Sequence, residues 1–132
     1  MKYFLDTDIL IYFLKGEKKV VDKISKQNPL DLATTIINHS ELLYGAYNSA
    51  KKKENLSIVK SLLKNLHVLH FCEESSTLFA ENKAFLKKQG TPIADLDLMI
   101  ASIAQKHKAT LVTNNTKHFL RIKNLKLENW TT

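Results

Sequence analysis

Two carboxylates, Asp6 and Asp8, interrupt an otherwise apolar stretch near the start of the chain, FLDTDIL. An acid in such surroundings loses its hydration unless a helix end, a base or a cation compensates it. Three further acids stand at similar borders: Glu41 in NHSELLYGA, and Asp95 and Asp97 in PIADLDLMIASIAQKH, while Asn114 and Asn115 follow the apolar run TLVT. Carboxylates gathered at one place repel unless they are protonated or bridged, and hard oxygen donors suit Mg²⁺ or Mn²⁺. An ion of that kind lowers the pKa of a bound water and neutralises a phosphate during in-line displacement, so these residue types point to phosphodiester hydrolysis. The competing explanation is local. Asp6, Asp95 and Asp97 stand where helices begin and complement their dipoles. Asn38, with Glu41 three residues on, has the form of a capping box.

Whether the acids meet depends on the elements that carry them. Residues 2–5 read as a short strand, and 7–15 as a helix with Ile9, Leu10 and Phe13 at helical spacing, closed by Gly16. A charged helix spans about 17–27 with Val20, Val21 and Ile24 on one stripe, broken by NPLD. LATTII, 32–37, reads as the second strand, and the pattern is helical from Asn38. A further amphipathic helix covers 53–66 (Leu56, Val59, Leu63, Leu66), and HVLHF, 67–71, is the third strand. Residues 74–89 form a helix carrying Leu78, Phe79, Phe85 and Leu86, stopped by Gly90 and Thr91-Pro92. The next helix, IADLDLMIASIAQKH, is apolar almost all round, with Leu96, Met99, Ile100 and Ile103 on one stripe, as a helix buried on several sides requires. TLVT is the fourth strand, NNTKHF turns into a short helix, and LKLENW is the fifth strand. Strands alternating with helices predict an α/β domain with a mostly parallel sheet covered by helices. Ligands of such sheets bind beyond the carboxyl ends of the strands, and that edge is where Asp6, Glu41, Asp95, Asp97 and the two asparagines fall.

Composition agrees with a binder of polyanions. The 132 residues, 44% hydrophobic and 25% charged, predict one globular domain over 1–132, and three Gly and two Pro leave no linker. Twenty Lys plus Arg against 13 Asp plus Glu gives a net charge of +7, and nineteen of those bases are Lys. Setting aside the five acids above leaves 8 acids against 20 bases, a basic surface around an acidic pocket. A Lys-rich surface also serves solubility. The lone Cys72 excludes internal disulfides and fits a reducing cytosol, and His70 and Cys72 lack the second ligand pair of a zinc site. Asp6 and Asp8 interrupt what would be a signal-peptide core, and no stretch is apolar enough for a bilayer, so a cytoplasmic protein with no membrane partner is expected.

At these residues the sequence resembles the PIN-domain ribonucleases, and most closely the VapC toxins of bacterial and archaeal toxin–antitoxin pairs. The likeness runs through FLDTDILIYFL, ELLYGAYNS, PIADLDLMIASIAQKHKATLVTNN and LKLENW in that order. It implies a PIN-like three-layer α/β sandwich with a central, mostly parallel sheet. It also implies Mg²⁺- or Mn²⁺-dependent endoribonuclease activity, with transfer RNA among the substrates, a cognate antitoxin as partner, and a homodimer. Carried over residue by residue, the first Asp of the family is Asp6, its Glu is Glu41 and the Asp of its D-x-x-I-A motif is Asp97; these are the expected catalytic residues. Asp6 and Asp97 are the primary metal ligands, with Glu41, Asp95 and Asn115 as further candidates, and Thr113 and His118 are candidate substrate contacts. Three positions depart from the pattern: Asp8 stands where Asn is usual, Asn115 where Asp is often found, and His118 where an acid precedes Phe119. These departures bear on a second metal more than on the first.

Two rival functions follow from the same residues. A non-catalytic PIN-type RNA-binding module would keep the fold with a degraded site. DTDIL also resembles the D-x-D motif of haloacid-dehalogenase-type phosphatases, but Leu10 stands where those have Thr or Val.

Overall fold

Tyr3, Phe4 and Leu5 are all buried, as a strand covered on both faces requires, and they form β1 (Tyr3–Leu5) at the centre of the sheet. In the computed structural model, which describes Met1–Thr132, the other strands are β2 (Leu32–Thr35), β3 (His67–Leu69), β4 (Thr110–Val112) and β5 (Lys126–Glu128). Their order is β3-β2-β1-β4-β5, and every pairing is parallel. The chain therefore runs outward from β1 through β2 to β3, then crosses back to the other side of β1. That reversal makes the carboxyl end of β1 a topological switch point, with β2 and β4 on either side of it.

Alternation along the strands divides the apolar residues between two cores. Phe4, Ala33 and Leu111 face one core, completed by Leu86, Leu98, Ile100, Ile103 and Phe119. Those residues come from α5 (Glu73–Gln89), α6 (Asp95–Lys106) and α7 (Thr116–Phe119). Tyr3, Leu5, Leu32 and Val112 face the other core, against α1 (Thr7–Leu14), α2 (Lys18–Ser25), α3 (Ile36–Tyr47) and α4 (Lys52–Lys64). Trp130 closes that side, its ring edge-on to Tyr3 at 5.0 Å and its Nε1 donating to Glu128 Oε1 at 2.9 Å. The result is the expected three-layer α/β sandwich. No helix is long and apolar enough to cross a membrane.

Local signals place most element ends. Left-handed Gly90 (φ 73°) ends α5 and lets the Thr91 N–H reach Leu86 O at 3.0 Å. The apolar sequence of α6 is matched by burial of Leu98, Ile100, Ala101, Ser102, Ile103 and Ala104. Leu96, expected on its buried stripe, is instead half exposed in the first turn, where the helix projects beyond the sheet. The fifth strand is only three residues long: beyond it Asn129 donates to Asn114 Oδ1 at 3.2 Å and Trp130 packs on Tyr3.

The second strand corrects the reading at a point that matters for the site. It ends at Thr35, not at residue 37, and α3 begins two residues before Asn38. Ile36 and Ile37 are β-branched and continue an apolar run, which is why they read as strand. A capping box one turn earlier overrides that propensity. The Thr35 hydroxyl accepts from the Asn38 N–H at 3.3 Å, and Asn38 Oδ1 accepts from the Thr35 N–H at 3.4 Å. Asn38 is thus the third helical residue and not the cap, and Glu41 caps nothing. Thr35→Ala is expected to cost about 1–2 kcal/mol in urea unfolding; an unchanged stability in Thr35→Ala would contradict the cap.

Candidate active site

Asp6 follows β1 directly and is 8% exposed, because its strand is flanked on both sides at its carboxyl end. Three neutral donors hold it and leave a lone pair of Oδ2 free. Oδ1 accepts from the Thr7 N–H and from Asn38 Nδ2, each at 2.9 Å, and Oδ2 accepts from the Thr113 hydroxyl at 2.8 Å. Register explains the last contact: Leu5 pairs with Val112, so the residues following each strand lie side by side. The Asn38 contact depends on the corrected start of α3, whose first turn rises from β2 beside Asp6.

Asn38 is fully buried and spends both amide protons on the site, one on Asp6 and one on Thr7 Oγ1 at 2.9 Å. The Thr7 hydroxyl, having accepted that proton, donates its own to Glu41 Oε1 at 2.7 Å. Asp6 and Glu41, which lie 35 residues apart in the chain, are thereby tied through one amide and one hydroxyl. Asp97 enters from the opposite layer as the third residue of α6, with His118 Nε2 of α7 at 3.5 Å from its Oδ2. Asp8, in the first turn of α1, accepts from the Ile9 N–H at 2.7 Å and the Asn114 N–H at 3.0 Å, which holds the segment after β4 against the site.

The charges in this cluster are uncompensated. The chain's ion pairs are Lys83–Asp95 and the contact of His118 with Asp97, so none of its 20 Lys and Arg pairs with Asp6, Asp8, Glu41 or Asp97. Burial, with the neighbouring Asp6 charge, pushes Asp8 up from 3.8 to about 6. Burial raises Glu41 as well, opposed by the Thr7 hydrogen bond and reinforced by the charges of Asp6 and Asp97. Asp97 is raised by burial and by Asp6, against the pull of His118. No three Asp, Glu, His or Cys side chains converge to a ready-made chelate. The oxygen donor set of these carboxylates nonetheless suits a hard divalent cation, which would relieve each of these repulsions.

Of the residues expected from sequence, Asp6, Glu41 and Asp97 come together. Asp95 does not: two positions from Asp97 on a helix it faces elsewhere, and it pairs with Lys83 at 3.0 Å on the surface. Thr113 is fully buried, its hydroxyl donating to Asp6 and accepting from the Asn115 N–H at 3.0 Å, which places it as a support of Asp6. Asn115 is exposed at the start of α7, with its side chain making no capping bond. His118 lies against Asp97. The residues that sequence reasoning missed are Asn38 and Thr7; the available signal was Thr35 followed by Asn38 at capping-box spacing, directly after a strand.

A parallel sheet with this order and acids at its switch point defines the class of protein, and the family model described as PIN domain matches residues 3–125. Ribonuclease VapC1 of Haemophilus influenzae (strain R2866) is 35% identical over 99% of both chains. The tRNA(fMet)-specific endonuclease VapC of Shigella flexneri is 31% identical over 98% of both. Among solved structures, VapBC2 from Rickettsia felis, bound to a DNA fragment from their promoter, superposes with a TM-score of 0.91 at 36% identity, covering 98% of this chain and 99% of that one. The chain belongs to the PIN domain family and, within it, to the VapC ribonucleases. The phosphatase reading of DTDIL is thereby set aside.

The raised Asp8 carboxyl makes stability depend on pH. Between pH 3.8 and about 6 the native chain binds more protons at Asp8 than the unfolded chain, so stability falls as pH rises. The contribution is whole below pH 3.8 and lost above about 6. In EDTA-treated protein, Asp8→Asn is expected to flatten this fall and to stabilise by about 1 kcal/mol at pH 7, solvent screening keeping the gain below the full worth of the shift. Urea unfolding at pH 4 and pH 7 checks it, and an equal fall in both proteins would contradict the assignment.

Proposed function

We propose that residues 1–132 form a single PIN domain that acts as the ribonuclease toxin of a toxin–antitoxin pair, a metal-dependent endoribonuclease with transfer RNA as its substrate class. The observation that carries this reading is the group of four carboxylates without a Lys or Arg partner in a chain of net charge +7. Asp6 and Asp97 would hold the cation, Mg²⁺ or Mn²⁺, with Glu41 ligating directly or through water and the Asn115 side-chain carbonyl a further candidate donor. When bound, such an ion lowers the pKa of a water and neutralises charge on the phosphate.

The chain's own groups do the rest. Three donors orient Asp6 and leave it no freedom to swing into solvent. Glu41 spends Oε1 on Thr7, which keeps Oε2 to orient the attacking water and to take its proton. Its raised proton affinity suits that task. Surface lysines hold the RNA backbone, and their excess over surface acids steers it to the site. The ribonuclease and tRNA(fMet)-specific names of the H. influenzae and S. flexneri relatives support the reaction and the substrate class. The likeness to VapBC assemblies supports an antitoxin partner. An apolar groove of about 480 Å³, lined by Ile11, Leu14, Ile58 and Val59 with Glu41 among its lining, offers the antitoxin a surface continuous with the site.

The test incubates purified protein with total cellular RNA and Mg²⁺ or Mn²⁺, beside EDTA controls, and maps new 5′ ends by sequencing. Discrete ends within tRNA are expected with metal, and Asp6→Ala and Asp97→Asn should each lower their yield by more than about 100-fold with the fold intact. Ends that persist in either variant would refute the site, and RNA binding without any cleavage would establish the non-catalytic module instead.

A further inference from the structure

We infer that His118 is a nitrogen ligand of the catalytic cation, so that the site takes a mixed nitrogen and oxygen donor set and favours divalent transition ions over Mg²⁺. The inference rests on the metal role proposed for Asp97. His118 Nε2 lies 3.5 Å from Asp97 Oδ2. That is longer than the 2.7–3.2 Å of a good N–H···O bond, so the two atoms face one another without closing a hydrogen bond. Two donors sharing one ion, each about 2.1 Å from it, stand roughly 3–3.5 Å apart, so the pair meets that requirement with little movement.

Both partners are held in place. Asp97 is in the first turn of α6, whose next residue, Leu98, is 1% exposed. His118 is in α7, anchored by the adjoining Phe119, fully buried and edge-on to the imidazole at 6.0 Å. The imidazole remains partly open, with 29% of the side chain exposed. Imidazole nitrogen binds first-row transition ions in preference to Mg²⁺, which takes oxygen. An imidazole at this position also adds no further negative charge to a group already crowded with carboxylates.

The test uses the full chain, stripped with EDTA and loaded with Mn²⁺. Electron spin-echo modulation of the bound Mn²⁺ reports a directly coordinated nitrogen, and its frequencies change when the protein is labelled with ¹⁵N-histidine. Coupling is expected in the unmodified chain and lost in His118→Gln. His118→Glu should still bind Mn²⁺ without the coupling, and its preference for Mn²⁺ over Mg²⁺, measured by competition, should fall by about tenfold. Mn²⁺ bound in an Asp97-dependent way but without nitrogen coupling would overturn this inference and leave the metal role of Asp97 standing. Mn²⁺ binding that is absent, or the same in Asp97→Asn, would overturn both.

Discussion

Repulsion among carboxylates at the end of a parallel sheet is the constraint to which the surrounding structure responds. Asp6 is nearly buried, and the charges of Asp8, Glu41 and Asp97 all act across it or beside it. A basic side chain folded into the site would remove the repulsion, and with it the affinity for a cation. The chain instead stabilises the acids with neutral donors, namely the Thr7 amide and hydroxyl, Asn38, Thr113 and the Asn114 amide. Neutral hydrogen bonds orient an anion without cancelling its charge.

That solution needs rigid donors, and the two-sided core provides them. β1 is central, so the donors for Asp6 arrive from the elements that follow its two neighbours, α3 after β2 and the segment after β4. Asn38 and Thr113 are both fully buried, and each uses its acceptor as well as its donors, so neither has a competing partner in water. Asp97 comes from the other layer, on a helix whose remaining faces are packed. The acids are thus carried by separate elements, each fixed by its own contacts with the core. Their mutual distance is set by packing and not by their preference to separate.

Two positions adjust the charge of this arrangement in opposite senses. Asp8 adds a fourth carboxylate, and its cost shows in the raised carboxyl; in return it grips the Asn114 amide and steadies the segment that carries Thr113. His118 places an imidazole beside Asp97 and draws its carboxyl back toward the ionised form. Apart from Asp6, Asp8, Glu41 and Asp97 the chain has 9 acids (13 less these 4) against 20 Lys and Arg, so its remaining charge is strongly basic.

The alternation of short apolar strands with helical patterns was sufficient to read a parallel α/β sandwich, because periods of two and of about three and a half residues are local properties of the chain. Asp6, Glu41 and Asp97 were legible for a similar reason: each follows a strand or opens a buried helix, and a parallel sheet sends all such positions to one edge. Asp95 stands apart from the other acids because proximity in sequence is not proximity on a helix, where two residues' separation turns a side chain to another face. The contact of Thr113 with Asp6 was not legible, because whether a polar residue after a strand faces solvent or a neighbouring carboxylate depends on the register between β1 and β4. The start of α3 and the role of Asn38 belonged to tertiary structure for the same reason. Ile36 and Ile37 have strand propensity, and only the capping box of Thr35 with a buried Asn38 beside Asp6 shifts the balance to helix. Local pattern determined which elements form and which edge carries the acids; the donors that hold each acid come from distant segments, and only the packed sheet brings them within hydrogen-bonding distance.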